Sequence, residues 1–217
     1  MPVASPANLE TDHRLLEAAG EVFAEKGFHK ATIREICRRA DANVAAVNYH
    51  FGNKEGLYAA VLKYARRCAA RSPAPDDGVP ESELQEQLRE FIHNFLQRIF
   101  DTGRPAWLAK LMAREMVEPT RVLDKIVQEQ IAPNHARLRR IIRGIVGEDV
   151  DEEGVRHSAL SIVGQCVFYR QGRAVIERLY PEQKFGQKDI ERLAEHITLF
   201  SLGALKEVQH ARKPATR

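Results

Sequence analysis

Cysteines are few in this sequence and long apolar runs are absent, and each scarcity argues against a class of protein. Cys37, Cys68 and Cys166 lie far apart and form no CxxC or Cys/His cluster, which argues against a disulfide framework or zinc site and favours buried thiols. No apolar run approaches the ~18 residues of a membrane span. The first residues, MPVASPANLETD, lack the basic-then-apolar order of a signal peptide, so we expect a cytoplasmic protein with no membrane partner.

Sequence motifs typical of catalysis are also missing. The chain contains no GxSxG elbow, HExxH pair, P-loop or GxGxxG fingerprint. Ser161, His157 and Glu115 are present, but nothing in their spacing places them in contact. We therefore expect a protein that is not an enzyme and that holds no cofactor or metal.

The composition is that of a soluble globular chain, and its small positive charge is unevenly distributed. Of the 217 residues 44% are hydrophobic and 29% charged, which suits one large or two small domains. The formal net charge is +3. Residues 1–71 hold 11 basic and 8 acidic side chains, whereas the remainder holds 22 of each. The excess therefore lies in the N-terminal third, where a nucleic-acid partner is expected.

The stretch 31–58 has the pattern of a DNA-reading unit. Thr32 is placed to cap a helix, and Glu35 three residues later completes a capping box. Asn43 suits the N-cap of a second helix that starts at Val44. One apolar face at helical spacing is formed by Ile33, Ile36, Cys37 and Ala40. Two helices joined by so short a turn predict a helix-turn-helix, whose second helix enters the major groove.

Residues 18–62 resemble the TetR/AcrR family of bacterial transcriptional regulators, over AAGEVFAEKGFHKATIREICRRADANVAAVNYHFGNKEGLYAAVL. The matching positions are Phe23, Gly27, Phe28, Thr32, Ile33, Ile36, Ala40, Tyr49, His50, Phe51, Lys54, Glu55 and Leu57. The sequence departs from the family pattern at Asp41, Asn43 and Ala45, where Gly, Ser and Gly are common. Asn43 preserves the cap, and the other two positions alter the turn and the surface that faces the groove. The wording LMAREMVEPT further resembles the CecR-like subgroup.

The resemblance implies an all-α fold, with an N-terminal three-helix helix-turn-helix DNA-binding domain and a C-terminal helical effector-binding and dimerisation domain. It assigns phosphate contacts to Thr32, Tyr49, His50 and Lys54. By their chemistry, the candidates for reading bases are Arg34, Asn43, Val44, Ala46 and Asn48. The alternative is that Tyr49 and His50 are packing residues and that Asn48 faces away from the bases.

The predicted domain organisation has four parts. Residues 1–10 are expected to form a disordered arm, 11–53 the helix-turn-helix domain, and 54–71 a connecting helix that in the family transmits ligand binding to the reading heads. The segment SPAPDDGVPE at 72–81 breaks the helical pattern. Residues 82–211 then form the ligand-binding and dimerisation domain, with an interruption near Pro133.

A carboxylate on an apolar helix face marks the most informative stretch of the second domain, PAWLAKLMAREMV at 105–117. Glu115 projects into the middle of that face, so it must be paired, hydrogen-bonded or neutral. It is either an internal ion pair with a basic residue on another helix or the polar anchor of a small-molecule pocket. The candidate effector-binding residues are Phe95, Trp107, Leu111, Arg114, Glu115, Cys166 and Tyr169.

The last two predicted helices, 152–179 and 187–211, carry more apolar surface than a monomer easily buries. We expect them to pair with a second copy in an intermolecular four-helix bundle, which is also the dimer mode of the family. The predicted interface residues are Ile162, Val163, Val167, Ile197, Ser201, Ala204, Leu205 and Val208.

The arginines at 137, 139, 140 and 143 form a basic cluster, which we interpret as a solvated or acid-paired face.

These patterns together predict a homodimeric, sequence-specific transcriptional regulator. The preferred form is a repressor that a small apolar or amphipathic effector releases from a palindromic double-stranded DNA operator. Two alternatives stay open at this point. One is an architectural DNA-binding protein without an effector, and the other is an activator.

Overall fold

The computed structural model describes residues 6–67, 81–100 and 105–211, and these residues are almost entirely helical. The helices are α1 (Pro6–Lys30), α2 (Ile33–Ala40), α3 (Val44–Phe51), α4 (Lys54–Arg67), α5 (Glu81–Phe100), α6 (Ala106–Val117), α7 (Arg121–Ile126), α8 (Ala132–Val146), α9 (Glu152–Gln171), α10 (Arg173–Leu179) and α11 (Gln187–Ala211), with a π-helical turn (Val127–Ile131) between α7 and α8. The described ranges contain no strand, in agreement with the predicted all-α class. None of these helices is both long and apolar enough to cross a membrane.

The helices form two compact units. The N-terminal unit contains α1 to α4 together with α6 and α7, and the C-terminal unit contains α5 and α8 to α11. The predicted ligand-binding domain covered 82–211 without a break. The observed contacts divide that range, because α6 packs on α1 and α7 packs on α4.

The core of the N-terminal unit is built around three aromatic rings. Phe23 of α1 meets Tyr58 of α4 edge to face, with ring centroids 4.7 Å apart, and Phe28 lies 5.1 Å from the same tyrosine ring. Gly27 (φ 77°) interrupts α1 immediately before Phe28, which lets the chain turn that ring inward. A side chain with a Cβ is strained at this backbone conformation, so glycine suits the position.

Two helices of the N-terminal unit are fastened by a tryptophan. Trp107 of α6 is buried against α1, and its Nε1 donates a hydrogen bond of 2.8 Å to Glu17 Oε2. Gly20 leaves the space that the indole occupies, since a Cβ built there would lie 2.2 Å from Trp107 Cε2. Leu111, one turn further along α6, is fully buried in the same core.

The C-terminal unit packs α5, α8, α9 and α11 around a largely aliphatic core that also contains Phe91 and Phe100. Its buried residues include Leu88, Ile92, Leu96, Leu138, Ile141, Ile142, Val146, Val155, Ala159, Ile162, Cys166, Ile190, Ala194, Ile197 and Leu205. Burial raises the pKa of the Cys166 thiol to about 12, so this group behaves as a small apolar residue.

Several predicted boundaries differ from the observed ones. α1 begins at Pro6, so residues 6–10 are helical and not part of a disordered arm, while 1–5 lie outside the described residues. The predicted break at 72–81 also lies outside them, except for Glu81, which begins α5. The predicted helix 152–179 is divided at Gly172 into α9 and α10. The interruption predicted near Pro133 is present as the π-helical turn that ends just before α8.

The basic cluster of α8 is partly neutralised from α9. The guanidinium of Arg139 pairs with Glu152, and Arg143 Nη2 lies 2.6 Å from the other oxygen of the same carboxylate. Arg143 and Arg139 together hold the pKa of Glu152 below its usual range. For these two arginines, the acid-paired interpretation is therefore the observed one.

Candidate nucleic-acid interface

Side-chain caps set the geometry of the helix-turn-helix. Thr32 Oγ1 accepts a hydrogen bond of 3.3 Å from the backbone N–H of Glu35, and Asn43 Oδ1 accepts one of 2.9 Å from Ala45. Both caps were predicted. The reciprocal half of the capping box was not found, because the Glu35 carboxylate lies 2.7 Å from Lys26 Nζ on α1. Asp41 ends α2 with φ 49°, a left-handed conformation in which Asp substitutes for the more usual Gly.

The recognition helix α3 presents a polar and aromatic face to solvent. Val47 is fully buried, whereas Asn43, Val44, Ala45, Asn48 and Tyr49 are exposed. Tyr49 is 81% exposed, so it is not a core aromatic. Ala46, a candidate for reading bases, is only partly exposed because it packs against the core.

His50 and Lys54, two of the four phosphate-contact candidates, contact residues of α1. The imidazole Nδ1 of His50 lies 3.0 Å from Asp12 Oδ1 on α1. Lys54 donates a hydrogen bond of 3.2 Å to the carbonyl of His29, and its Nζ lies 4.6 Å from the centre of the Phe28 ring. An ammonium group has three donors, so this bond leaves Lys54 capacity for a phosphate. Thr32 is exposed at the start of α2.

Of the three arginines on α2, one is neutralised by ion pairs and two leave a positively charged face. Arg39 forms a two-pronged pair with Glu25 of α1, at 3.0 and 2.9 Å, and this bond lowers the pKa of Glu25. Arg34 and Arg38 lie one turn apart, are exposed, and form no ion pair within the described part of the chain. Their charge is therefore available to an external polyanion.

A buried carboxylate joins α6 to α4. Glu115 is 1% exposed, and its Oε1 accepts a short hydrogen bond from the Tyr58 hydroxyl. Its Oε2 accepts a bond of 3.1 Å from the backbone N–H of Thr120, whose hydroxyl also reaches both oxygens. Burial, reinforced by Glu115, raises the pKa of Tyr58 well above its usual value. Among the described residues no basic group pairs with Glu115, so of the two alternatives the ion pair is not the arrangement observed.

The Arg114 side chain is hydrogen-bonded to the backbone of α1. Its Nε donates to the carbonyl of Ala24 at 3.2 Å, and its Nη2 donates to that of Glu25 at 3.0 Å. These carbonyls lie in the last turn before the non-helical backbone at Gly27, a position at which helix carbonyls commonly need a partner from outside the helix. The guanidinium therefore caps the first segment of α1 and holds α6 against it.

The predicted effector residues fall into two separate clusters. Trp107 and Leu111 belong to the core of the N-terminal unit, where Arg114 and Glu115 also make the contacts described above. Phe95, Cys166 and Tyr169 belong to the core of the C-terminal unit. Sequence reasoning missed Tyr58 and Thr120 as partners of Glu115. Only the position of Thr120, a helix N-cap directly after Pro119, carried a signal.

The predicted dimer face requires a correction. Ile162, Ile197, Ser201 and Leu205 are buried within the protomer, because α9 and α11 turn these positions toward its own core. Val163, Val167 and Val208 are partly exposed, and Ala204 is exposed. Apolar side chains on the outer faces of the two helices are Leu160, Phe168, Leu199 and Phe200.

A capped helix-turn-helix with an exposed reading face, on an all-helical scaffold, defines the helix-turn-helix DNA-binding class of proteins. Comparison with known proteins supports this DNA-binding class. Residues 15–61 match the model of the bacterial regulatory proteins of the tetR family. Residues 84–205 match that of the C-terminal domain of the HTH-type transcriptional dual regulator CecR. The chain belongs to the TetR family of transcriptional regulators, and its C-terminal domain is CecR-like.

Individual relatives extend this similarity over most of the chain. The transcriptional dual regulator CecR of Shigella flexneri is 28% identical over 200 residues, which cover 85% of this chain and 86% of that protein. The transcriptional repressor AcnR of Corynebacterium diphtheriae is 30% identical over 140 residues, or 62% of this chain and 70% of AcnR. The fold resembles a TetR regulator from Agrobacterium tumefaciens with a TM-score of 0.63, 18% identity, and coverage of 93% and 98% of the two chains.

Proposed function

We propose that this regulator is a homodimeric repressor that binds a palindromic operator and is released by a small apolar or amphipathic effector. The observation that carries the proposal is the outer face of α3. Asn43, Val44, Asn48 and Tyr49 are exposed there, while Val47 anchors the same helix in the core. An amide suits adenine, and an aliphatic side chain suits the thymine methyl.

We assign the residues of this surface to two roles, contact with DNA phosphates and recognition of bases. Tyr49, Thr32, His50 and Lys54 supply hydroxyl, imidazole and ammonium groups suited to phosphate oxygens. Arg34, Asn43, Val44 and Asn48 supply the base-reading chemistry. Ala46 contributes less, since part of its surface is already buried.

This division predicts two different mutant phenotypes. Tyr49→Phe is expected to weaken binding several-fold on every operator variant, because a phosphate contact carries no sequence information. Asn48→Ala is expected to cost about 1–3 kcal/mol on the preferred operator and less on variants altered at one base pair. Titration of both proteins against a panel of single-base operator variants measures the difference. Selective loss with Tyr49→Phe would contradict the phosphate assignment.

Apolar side chains exposed on two helices support a homodimer. Leu160 and Phe168 lie two turns apart on α9, and Leu199 and Phe200 are 74% and 62% exposed on α11. A Cβ added at Gly164 or Gly203 would have no atom of the described residues within 4 Å beyond its own helix backbone. Such a face allows close approach of a second copy, in a symmetric interface that places two reading heads on one operator.

Placing a charge in this face should break the dimer. Phe200→Glu is expected to raise the dimer dissociation constant about 100-fold, because burying an unpaired carboxylate costs about 3 kcal/mol or more. Sedimentation velocity at several concentrations measures the change. Leu179→Glu, at an equally exposed apolar site on α10, is the matched control and should leave the dimer intact. An intact Phe200→Glu dimer would place the interface elsewhere.

Effector release requires a coupling between ligand and reading head. Phe95, Cys166 and Tyr169 are the proposed effector contacts in the C-terminal unit. Glu115 and Arg114 are proposed to transmit the change, since they tie α6 to α4 and α1. The effector must favour the state that cannot bind DNA, and bound DNA must weaken the effector equally. A nearly complete switch needs a preference of ~10⁴, about 5.5 kcal/mol.

Selection from genomic DNA tests the proposal directly. The purified protein is incubated with fragments of its own genome, beginning with the DNA beside its gene, and the retained fragments are sequenced. The expected result is a single palindromic site. Diffuse retention that disappears at modest salt would instead indicate an architectural DNA-binding protein.

A further inference from the structure

Lys54 is the first residue of α4, and its side chain is held by residues of α1. The ammonium Nζ donates a hydrogen bond of 3.2 Å to the carbonyl of His29 and lies 4.6 Å from the centre of the Phe28 ring. A cation in the first turn of a helix meets the positive end of the helix dipole, so α4 itself does not stabilise this charge. The contacts that hold Lys54 come instead from a helix about 25 residues earlier in the chain.

The ring beside Lys54 is fixed by the core of the N-terminal unit. Non-helical backbone at Gly27 (φ 77°) precedes Phe28, and the carbonyl of Gly27 accepts a hydrogen bond of 3.2 Å from the backbone N–H of Ala31. The Phe28 ring lies 5.1 Å from the ring of Tyr58. Its distance from the ammonium group is within the range of an attractive cation–π contact.

A guanidinium group from α6 lies against the same turn of α1. Arg114 Nε and Nη2 donate hydrogen bonds to the carbonyls of Ala24 and Glu25, at 3.2 and 3.0 Å. A Cβ built at Gly27 would lie 2.8 Å from Arg114 Nη1, so the guanidinium also covers the turn directly. The position of the next carbonyl groups, including that of His29, therefore depends on a side chain of α6.

We propose that the α1 turn at Phe28 and His29 is a positioning device that holds the Lys54 ammonium group in place for a DNA phosphate, and that Arg114 fixes this turn from α6. A free lysine side chain loses conformational entropy when a contact fixes it, whereas one that is already held loses less. The bond to His29 uses one of three donors, which leaves two for phosphate oxygens. The inference rests on the proposed phosphate contact of Lys54, and it gives Arg114 a defined route to the DNA-binding surface.

The test measures DNA affinity and its dependence on salt. The probe is a labelled random-sequence duplex of about 30 base pairs, because phosphate contacts need no particular sequence and two half-sites span this length. Lys54→Ala is expected to weaken binding and to reduce the slope of log affinity against log salt by about 1, since one phosphate contact is lost. Phe28→Leu removes the ring but keeps the charge. It should weaken binding about three- to tenfold, with a slope close to that of the wild type.

Double variants distinguish positioning from a general effect on the fold. In the Lys54→Ala background, Phe28→Leu should not weaken binding further, because the ring acts through the ammonium group. Arg114→Gln cannot bridge the two carbonyls as the guanidinium does, and it should likewise weaken binding only while Lys54 is present. Phe28→Tyr keeps an aromatic ring beside Lys54 and should retain nearly the full wild-type affinity.

The outcomes separate this inference from the proposed function. Leu16→Ala, which truncates another residue packed on the same core, is the control and should keep the wild-type affinity and slope. A wild-type protein that binds no duplex would overturn both proposals. If Lys54→Ala weakens binding but Phe28→Leu does not, or if Phe28→Leu weakens it equally with and without Lys54, the phosphate contact stands and the positioning role is wrong. Wild-type affinity in Arg114→Gln would overturn the role of Arg114. Circular dichroism checks that each variant is folded at the salt concentrations used.

Discussion

Gly20→Ala is expected to destabilise the N-terminal unit by about 2–3 kcal/mol, as overpacking of a filled core does. The added Cβ would lie 2.2 Å from Trp107 Cε2, inside the indole ring system and not at the end of a flexible chain. Relief requires α6 to move away from α1. That movement would strain the hydrogen bond from Trp107 to Glu17. Urea unfolding followed by tryptophan fluorescence, with Trp107 as the only fluorophore of its kind, measures the loss.

The direction of this effect is diagnostic. In a helix without tertiary contact, Gly→Ala stabilises by about 1 kcal/mol. Trp107→Leu provides the control, since a smaller side chain leaves room for the methyl group. In the Trp107→Leu background, Gly20→Ala should lower the free energy of unfolding much less than in the wild type. Unfolding of these variants is followed by circular dichroism, because they lack the tryptophan. A neutral or stabilising Gly20→Ala in the native background would show that α6 does not pack on α1 as described.

The helix-turn-helix was predictable because its determinants are local. The caps at Thr32 and Asn43 and the apolar spacing of α2 operate within a few residues, and the structure has them where the sequence placed them. The half of the capping box that failed is equally instructive. Glu35 was free to bond its own helix, but Lys26 of α1 offers an ion pair that no local pattern encodes.

The residues that α6 contacts could not be predicted from local sequence patterns. Periodicity identified its apolar face and the carboxylate within it, but not the helix that the face would cover. Glu115 meets Tyr58, which is 57 residues away, and the same sequence pattern would suit a ligand pocket. The sequence likewise did not indicate that the Trp107 indole occupies the space left by Gly20.

The dimer face shows a related ambiguity. α11 carries apolar residues on more than one side, and the regular stripe through Ile197, Ser201 and Leu205 was assigned to a partner subunit. The protomer buries that stripe in its own core. The large apolar residues that α11 exposes are Leu199 and Phe200, which lie outside that stripe. A helix with two apolar sides can be recognised from sequence, but which side faces the protomer core depends on the neighbouring helices.

Glu115→Gln is expected to lower the free energy of unfolding by about 2–3 kcal/mol, although the two side chains have nearly the same shape. Every described partner of the carboxylate is a donor: the Tyr58 hydroxyl, the Thr120 hydroxyl and the Thr120 backbone N–H. A glutamine offers one oxygen and one NH₂ group, so one of these donors faces another donor. If the Gln oxygen keeps the bond from the Thr120 backbone N–H, its NH₂ group faces the Tyr58 hydroxyl, whose buried proton then loses its acceptor. Denaturant unfolding measures the cost.

Two further variants separate the buried bonds from charge in general. Glu118→Gln removes an exposed carboxylate from the end of the same helix and should change stability by less than ~0.5 kcal/mol. Tyr58→Phe should cost about 1.5–3 kcal/mol in the wild type, because it removes a donor from a buried charge. In the Glu115→Gln background it should cost less, since the hydroxyl there already lacks a full acceptor. Additive losses would mean that the two side chains do not share the bond that joins α4 to α6.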